Sequence, residues 1–414
     1  MSTVFSKSTA QELRVGVVGV GQRAVLAEYA NRPGYSRVVS CADTTERGRD
    51  DARRLFGPDV AVHEDYREMT GDDLDAVFVL TPDFVHTEPV VHLLEAGIAV
   101  FVEKPMAISI EDCDAMLAAA RSLGARLYVG HNLRHLPTLR AMRRLIDEGA
   151  VGRVRAVWCR HFVGSGGDYY FKDWHAERAK TTSLLLQKGA HDIDVIHWLA
   201  GGYSREVVGL GALTVYGENP HRRGPDPAFD RQRMPEWFDR DAWPPARLRE
   251  LNPTIDVEDL SMMTAKLDND VYMSYQQCHY TPDYWRNYTV IGDAGRLENF
   301  GDGIEGDPAV VRVWNARRSG YRAEADVTVE ITPDTAERHG GADQQLVAEF
   351  LRFAVEGGAT ETSPLAAREA VAAGVAATES LRHGGRPVTV PALDPALRAY
   401  FEAHQSAPHT DAQV

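Results

Sequence analysis

Cysteine is scarce in this chain, and its scarcity excludes a good deal. Cys41, Cys113, Cys159 and Cys278 are the only four. None falls in a Cys-x-x-Cys pair, which removes the common zinc and dithiol-redox spacings. Thiols so few and so scattered read as reduced, structural residues of a cytoplasmic protein. No stretch approaches the roughly 18 consecutive apolar residues of a membrane helix. The segment from Met1 to Leu13 lacks the apolar centre of a secretion signal. Positive charge is also short, with 45 Lys and Arg against 60 Asp and Glu and a formal net charge of −15. That balance disfavours nonspecific attraction to nucleic acid or to an anionic membrane. The expected partner is a small molecule.

What is present has two textures. At 414 residues the chain exceeds one ordinary core, which predicts two domains. Up to about Gly130, apolar runs at Val15–Val20, Val38–Ala42, Ala76–Leu80, Ala99–Val102 and Leu127–Val129 alternate with helical stretches such as Glu88–Ala96 and Ile110–Leu123. Near-continuous apolar runs suit parallel strands buried on both faces. The alternation predicts an α/β domain, a doubly wound parallel sheet over residues 1–132. After Asn132, helices at Pro137–Glu148 and Ser183–Leu199 are followed mostly by strands: Val154–Phe162, Glu206–Tyr216, Asp259–Leu267, Val271–His279, Tyr288–Ile291 and Val310–Trp314. Helices at Ala342–Val355 and Pro364–Leu381 close the pattern. Residues 133–400 therefore read as an α+β domain on a largely antiparallel sheet, and 401–414 as a flexible tail. The Pro-rich insertion at 217–253, with Trp237, Phe238 and Trp243 as anchors, reads as a lid or an oligomer arm in preference to disorder.

Gly19-Val20-Gly21-Gln22-Arg23-Ala24 follows an apolar strand and opens a helical stretch, the context a Gly-x-Gly-x-x-Ala turn requires. Gly19 permits the tight turn, Gly21 lets a pyrophosphate approach the backbone, and Ala24 keeps the helix close to the sheet. Asp43 ends the second strand, 24 positions after Gly19 (43 − 19), where a carboxylate accepts both ribose hydroxyls. This favours NAD, while Arg47 and Arg49 keep NADP open. Thr81-Pro82 ends a further strand at the edge where ligands meet an open α/β sheet. His86 either contacts the nicotinamide or diphosphate region or packs the next helix. Glu103-Lys104-Pro105 places a lysine at the mouth of a buried strand, and Pro105 sets the turn with a cis or trans bond. Gly164-Ser165-Gly166-Gly167 lacks the strand-to-helix context of a phosphate loop.

Taken in order, these segments resemble a family. Gly19–Ala24, Thr81-Pro82-Asp83-Phe84-Val85-His86, Glu103-Lys104-Pro105, Gly130-His131-Asn132-Leu133-Arg134, Gly149–Val154, Gly189-Ala190-His191-Asp192-Ile193-Asp194 and Ile291-Gly292-Asp293-Ala294-Gly295 are similar to the motifs of the glucose-fructose oxidoreductase / inositol dehydrogenase / rhizopine-catabolism (Gfo/Idh/MocA) family. The resemblance implies an N-terminal Rossmann domain, and a C-terminal domain whose open-faced sheet often builds a homo-oligomer, dimer or tetramer. It implies that Lys104 and His191 face the substrate beside the nicotinamide. The cofactor set it suggests is Gly19, Gly21, Gln22, Arg23, Ala24, Asp43, Thr81, Pro82, His86, Glu103 and Lys104. Many members carry a carboxylate four residues before the histidine. Gln187 stands there in this chain, and it can orient a hydroxyl but not exchange its proton.

Oxidising an alcohol requires a base for the hydroxyl proton as hydride leaves carbon. A free lysine, with a pKa of about 10.4, is too strongly protonated at neutral pH. Burial and a cationic nicotinamide ring both disfavour the ammonium. Lys104 is thus the expected general acid/base and His191 the hydrogen-bond partner of the reacting hydroxyl. Lys188 is a further nearby base. Asp194 lies on the face of His191, to orient it, bind substrate or satisfy a backbone group. His191, Asp194 and His197 read as one helix face and not as a metal site. Gln187, Asp194, Asn132, Arg134, Trp174, His175 and Arg178 are candidate substrate contacts. The expectation is an NAD(P)-dependent enzyme oxidising or reducing a sugar, cyclitol or related polyol. Two rivals remain: redox-neutral glycoside cleavage or epimerisation with retained cofactor, and a catalytically inactive ligand sensor.

Overall fold

The computed structural model describes residues 12–164, 169–217, 251–304, 308–332 and 338–405. Most of the 217–253 insertion with its aromatic anchors, Ser165-Gly166-Gly167, and the tail from 406 lie outside the described residues. Among the described residues, no helix is long and apolar enough to cross a membrane.

The first sheet comprises β1 (Leu13–Val18), β2 (Ser36–Ala42), β3 (Ala61–His63), β4 (Ala76–Val79), β5 (Ala99–Val102) and β6 (Leu127–Val129). They are ordered β3-β2-β1-β4-β5-β6, and every pair is parallel. This is the doubly wound Rossmann order. Both faces are covered, which explains the unbroken apolar runs. On one face Val15, Val17, Phe78, Phe101 and Tyr128 meet Leu346, Val347 and Phe350 of the helix Ala342–Glu356. The other face packs on the helices Thr87–Glu95 and Ile110–Leu123. It also receives Leu365 and Val371 from Pro364–Arg382, and Leu397, Tyr400 and Phe401 from Pro395–Glu402. Segments far downstream in sequence therefore complete the core of the first sheet.

The second sheet has nine strands, β7 (Val154–Phe162), β8 (Ser204–Ala212), β9 (Leu260–Leu267), β10 (Tyr272–Cys278), β11 (Trp285–Gly292), β12 (Arg296–Phe300), β13 (Ala309–Trp314), β14 (Val327–Ile331) and β15 (Val388–Thr389). It is antiparallel except where β7 meets β10. Alternation is clear along β9, where Met263, Ala265 and Leu267 face the core and Met262, Thr264 and Lys266 do not. The buried face packs against the helices Pro137–Asp147, Gly189–Ala200 and Pro364–Arg382. On the strands of the same sheet, Trp158, Leu210, Met262 and Tyr272 remain exposed.

Two differences from the sequence reading matter. Short strands β3, β12, β14 and β15 and the helices Glu46–Phe56 and Pro395–Glu402 join the expected elements. Two to five residues carry too little periodicity to announce a strand, and pairing to a neighbour stabilises them instead. The expected helix Ser183–Leu199 is also divided into Leu184–Gln187 and Gly189–Ala200, with Lys188 at the junction. Ser183 caps the first piece, its Oγ accepting from the Leu186 amide at 3.0 Å. A Cβ on Gly189 would lie 3.0 Å from the Tyr275 ring, so this helix start presses directly on the second sheet.

Candidate active site

The glycine turn leaves β1 through Gly19, which has a φ of +87° and whose amide donates to Ala42 O at 2.9 Å. A Cβ there would sit 2.8 Å from the Thr81 amide nitrogen, so only glycine fits. Gly21 is different: it is exposed, and a Cβ would meet nothing within 4 Å. The protein itself does not require glycine at that position. Behind it Gln22–Ala24 forms a helical turn that continues into Val25–Glu28, with Ala24 buried against the sheet. Asp43 is tied to the same turn, its Oδ2 accepting from the Val20 amide at 2.8 Å. Its Oδ1 accepts from Thr45 N at 2.8 Å and Thr45 Oγ1 at 2.7 Å. An open approach to backbone amides, a helical start and a carboxylate at the end of β2 fit the pyrophosphate and ribose of NAD(P).

Ionic contacts tie this turn to the Glu103-Lys104-Pro105 segment and to Asp343. Arg23 Nε lies 2.6 Å from Glu103 Oε1, and its Nη1 lies 3.1 Å from Asp343 Oδ2. Glu103 Oε2 accepts from the Lys104 amide at 2.6 Å. The Lys104–Pro105 peptide bond is cis. His86 is fully buried, with Nε2 2.9 Å from Thr81 O and Nδ1 3.1 Å from Pro105 O. It braces the Thr81-Pro82 segment against the Lys104-Pro105 turn, and burial holds its ring below the ordinary histidine pKa.

Lys104, Lys188 and His191 lie near enough for their charges to act on one another. Burial lowers the Lys104 ammonium below its usual pKa, against the opposing pull of Glu103 and Asp83. Burial, then the charges of Lys104 and Lys188, keep His191 well below 6.5, so its imidazole is neutral at pH 7. Lys188 is drawn down to about 7 by burial, then by Arg286 and Lys104. Asp83 is buried and pushed up to about 7 by desolvation, partly offset by Lys104 and a hydrogen bond from Gln187. Several buried polar atoms here have no protein partner: Asp83 Oδ2, Gln187 Oε1, His191 Nδ1, His175 Nδ1, Thr81 Oγ1 and Asn132 Oδ1. Buried polar groups are ordinarily satisfied, so such a cluster marks a place for a polar ligand.

Beneath His191 a dense network anchors the helix to the second sheet. Asp192 is fully buried and accepts from the hydroxyls of Tyr275, at 2.9 Å, and Tyr288. His161 Nδ1 is 3.0 Å from its Oδ2, and Arg286 Nε is 3.0 Å from its Oδ1. Arg286 and His161 hold the Asp192 carboxyl well below the usual carboxylate range despite its burial.

The remaining sequence candidates are placed as follows. Arg134 and Asp194 form a buried bidentate pair, with both contacts at 2.7 Å, so their charged groups face each other. Asn132 Nδ2 donates to Asp343 Oδ1 at 2.8 Å. Trp174 stacks on His175 with ring centroids 3.7 Å apart and meets Phe84 edge-on. Arg178 Nη2 binds Glu258 Oε1 at 3.1 Å, and its side chain is 46% exposed. Sequence reasoning passed over Asp83, Asp192, Arg286 and Tyr275. Asp83 had a signal, sitting between Pro82 and His86 in a segment already read as cofactor-facing. Asp192 had one too, lying beside His191 in a motif already singled out, whereas Tyr275 and Arg286 belong to distant strands and carry none.

Known proteins resemble this chain over much of its length. The 2,7-anhydro-N-acetylneuraminate hydratase of Mediterraneibacter gnavus is 29% identical over 239 residues, 55% of this chain and 62% of that protein. The 1,5-anhydro-D-fructose reductase of Ensifer adhaerens is 34% identical over 209 residues, 50% of this chain and 58% of that protein. The chain thus spans about three fifths of the length of these curated relatives. A levoglucosan dehydrogenase solved with NADH and levoglucosan shares the fold, with a TM-score of 0.72, 20% identity, and coverage of 92% of this chain and 100% of that one. The model of an oxidoreductase family's NAD-binding Rossmann fold matches residues 13–131, and the model of its C-terminal alpha/beta domain matches residues 143–390. With both halves matched in order on the two sheets described, the chain belongs to the Gfo/Idh/MocA oxidoreductase family.

Proposed function

We propose that this protein is an NAD(P)-dependent oxidoreductase that moves hydride between a nicotinamide and a hydroxyl-bearing carbon of a sugar, cyclitol or related polyol. One observation carries the reading. A lysine with a lowered pKa and a neutral histidine converge where buried polar atoms lack protein partners, at the mouth of a cofactor-binding sheet. Gly19, Gly21, Gln22, Arg23, Ala24, Asp43, Thr81, Pro82 and Glu103 would hold the cofactor, with His86 bracing them from behind and Asp43 favouring NAD over NADP. When bound, the nicotinamide supplies the hydride acceptor or donor. Lys104, as a free amine, takes the hydroxyl proton in oxidation and returns it from the ammonium in reduction. Neutral His191 holds the reacting oxygen, and the Gln187 amide orients a neighbouring hydroxyl. Trp174 offers an apolar plane for the sugar ring, while Asn132, Arg134, Asp194 and Arg178 position the surrounding wall.

The test is reduced-nicotinamide absorbance with NAD⁺ and NADP⁺ across cyclitols, aldoses, sugar acids and glycosides, with Lys104→Met as control. Turnover should vanish in the variant while NADH binding stays measurable; near-wild-type turnover would refute the assignment. The relative named as a hydratase favours a second reading, redox-neutral chemistry with retained cofactor. Product formation without net NADH would select it. The unpaired cysteines among the described residues support cytoplasmic action. Trp158, Met262 and Tyr272, exposed on the second sheet, support a homo-oligomer, which light scattering would size.

A further inference from the structure

The cations around the site differ in how they are balanced. Arg23 has Glu103 and Asp343, Arg134 has Asp194, and Arg286 has Asp192 at 3.0 Å and Asp302 at 3.8 Å. Lys104 stands beside Glu103 and Asp83. Lys188 has no ion pair with any described acid. Its Nζ lies 5.8 Å from the centre of the Tyr170 ring. The two carboxylates near enough to influence it are engaged elsewhere. Asp192 serves Tyr275, Tyr288, His161 and Arg286. Asp302 serves the Tyr284 hydroxyl and the Ile304 amide as well as Arg286. The other side chains facing Lys188 are His161, His175, His191 and His279, each held neutral by burial, and the cations Lys104 and Arg286.

A half-buried ammonium without a counter-charge tends to shed its proton or to acquire an anion. The geometry points to Lys188 as the receptor for a carboxylate on the substrate, making a sugar acid the preferred substrate class. One ammonium balances one negative charge, which is a carboxylate at neutral pH. A phosphate monoester would bring nearly two negative charges. Lys188 lies three residues before His191, on the same side of that helix start. The carboxylate is therefore carried close to the carbon bearing the reacting hydroxyl.

This inference rests on the proposed oxidoreductase reading and deepens it. It carries a pH signature. Lys188 is drawn down to about 7, so the ammonium that binds the anion is present below pH 7 and lost above it. KM for an acid should rise by about tenfold per pH unit above that point, while KM for its neutral counterpart does not follow.

The experiment compares D-glucuronate with D-glucose and D-galacturonate with D-galactose, with NAD⁺, in the wild type, Lys188→Met and Lys188→Arg. The expected result is a wild-type preference for the acids of at least about tenfold in kcat/KM. That preference should collapse toward one in Lys188→Met through KM, and return in part in Lys188→Arg. Equal use of acid and neutral sugar by the wild type overturns the inference. So does a Lys188→Met variant that loses kcat equally for every substrate, which would make Lys188 a proton carrier. If no sugar is turned over, calorimetric titration of the NADH-loaded protein separates the two readings. Binding of glucuronate but not glucose, lost in Lys188→Met, keeps the anion receptor and removes the dehydrogenase reading; no discrimination removes the receptor.

Discussion

Substituting Gly21 by alanine should separate the cofactor's requirement from the protein's own. A Cβ at this position meets no atom within 4 Å, and the backbone, with φ −99° and ψ −151°, lies in extended space that alanine adopts freely. Folding should then be unharmed. Loss of glycine's extra freedom in the unfolded chain stabilises compatible sites by about 0.4–1 kcal/mol. Cofactor binding should suffer, because the methyl stands where a pyrophosphate approaches the turn. Displacing one charge-assisted hydrogen bond removes about 1.5–3 kcal/mol, which is roughly 10- to 150-fold in Kd. Gly19→Ala supplies the contrast. Its φ of +87° and the Thr81 nitrogen 2.8 Å from the new carbon should destabilise the apo protein by about 2–3 kcal/mol. Urea unfolding of the apo proteins and fluorescence titration with NADH measure both quantities. Two results refute the reasoning: Gly21→Ala binding NADH as tightly as wild type, or its apo form losing more than about 1 kcal/mol.

Alcohol oxidation requires Lys104 as the free amine, and burial places its pKa below 10.5. With a neutral substrate, kcat/KM for oxidation should rise with pH and level off below pH 10.5, while reduction shows the opposite limb. A profile still climbing at pH 10.5 would exclude Lys104 as the base. Asp192→Asn removes the counter-charge of buried Arg286 and offers one acceptor oxygen where the carboxylate offered two. Apparent unfolding stability should fall by about 3–5 kcal/mol. An Arg286→Met partner in a double-mutant cycle should recover part of that, since the residues touch.

Much of the fold was legible in the sequence because its signals are local and repeated. β4, β5 and β6 are unbroken apolar runs buried throughout, β1 and β2 are apolar over most of their length, and β7 and β9 alternate along an amphipathic sheet. The glycine turn, Glu103-Lys104-Pro105 and the segment around His191 announced themselves by residue type and order. The break at Lys188 did not, because a polar residue within an amphipathic helix looks the same whether the helix continues or stops.

The sequence by itself determined the two sheet textures, the cofactor turn and the local segments that carry Lys104 and His191. All of these depend on residues close together along the chain. Only the tertiary structure decided which charges cancel. Arg134 closes on Asp194 across 60 positions of sequence, Asn132 turns to Asp343, and Asp192 gathers partners from three strands, while Lys188 has no ion pair with any described acid. Electrostatic pairing acts through space over a few ångströms, and its sign and strength depend on burial as much as on residue type. Spacing along a chain carries neither quantity.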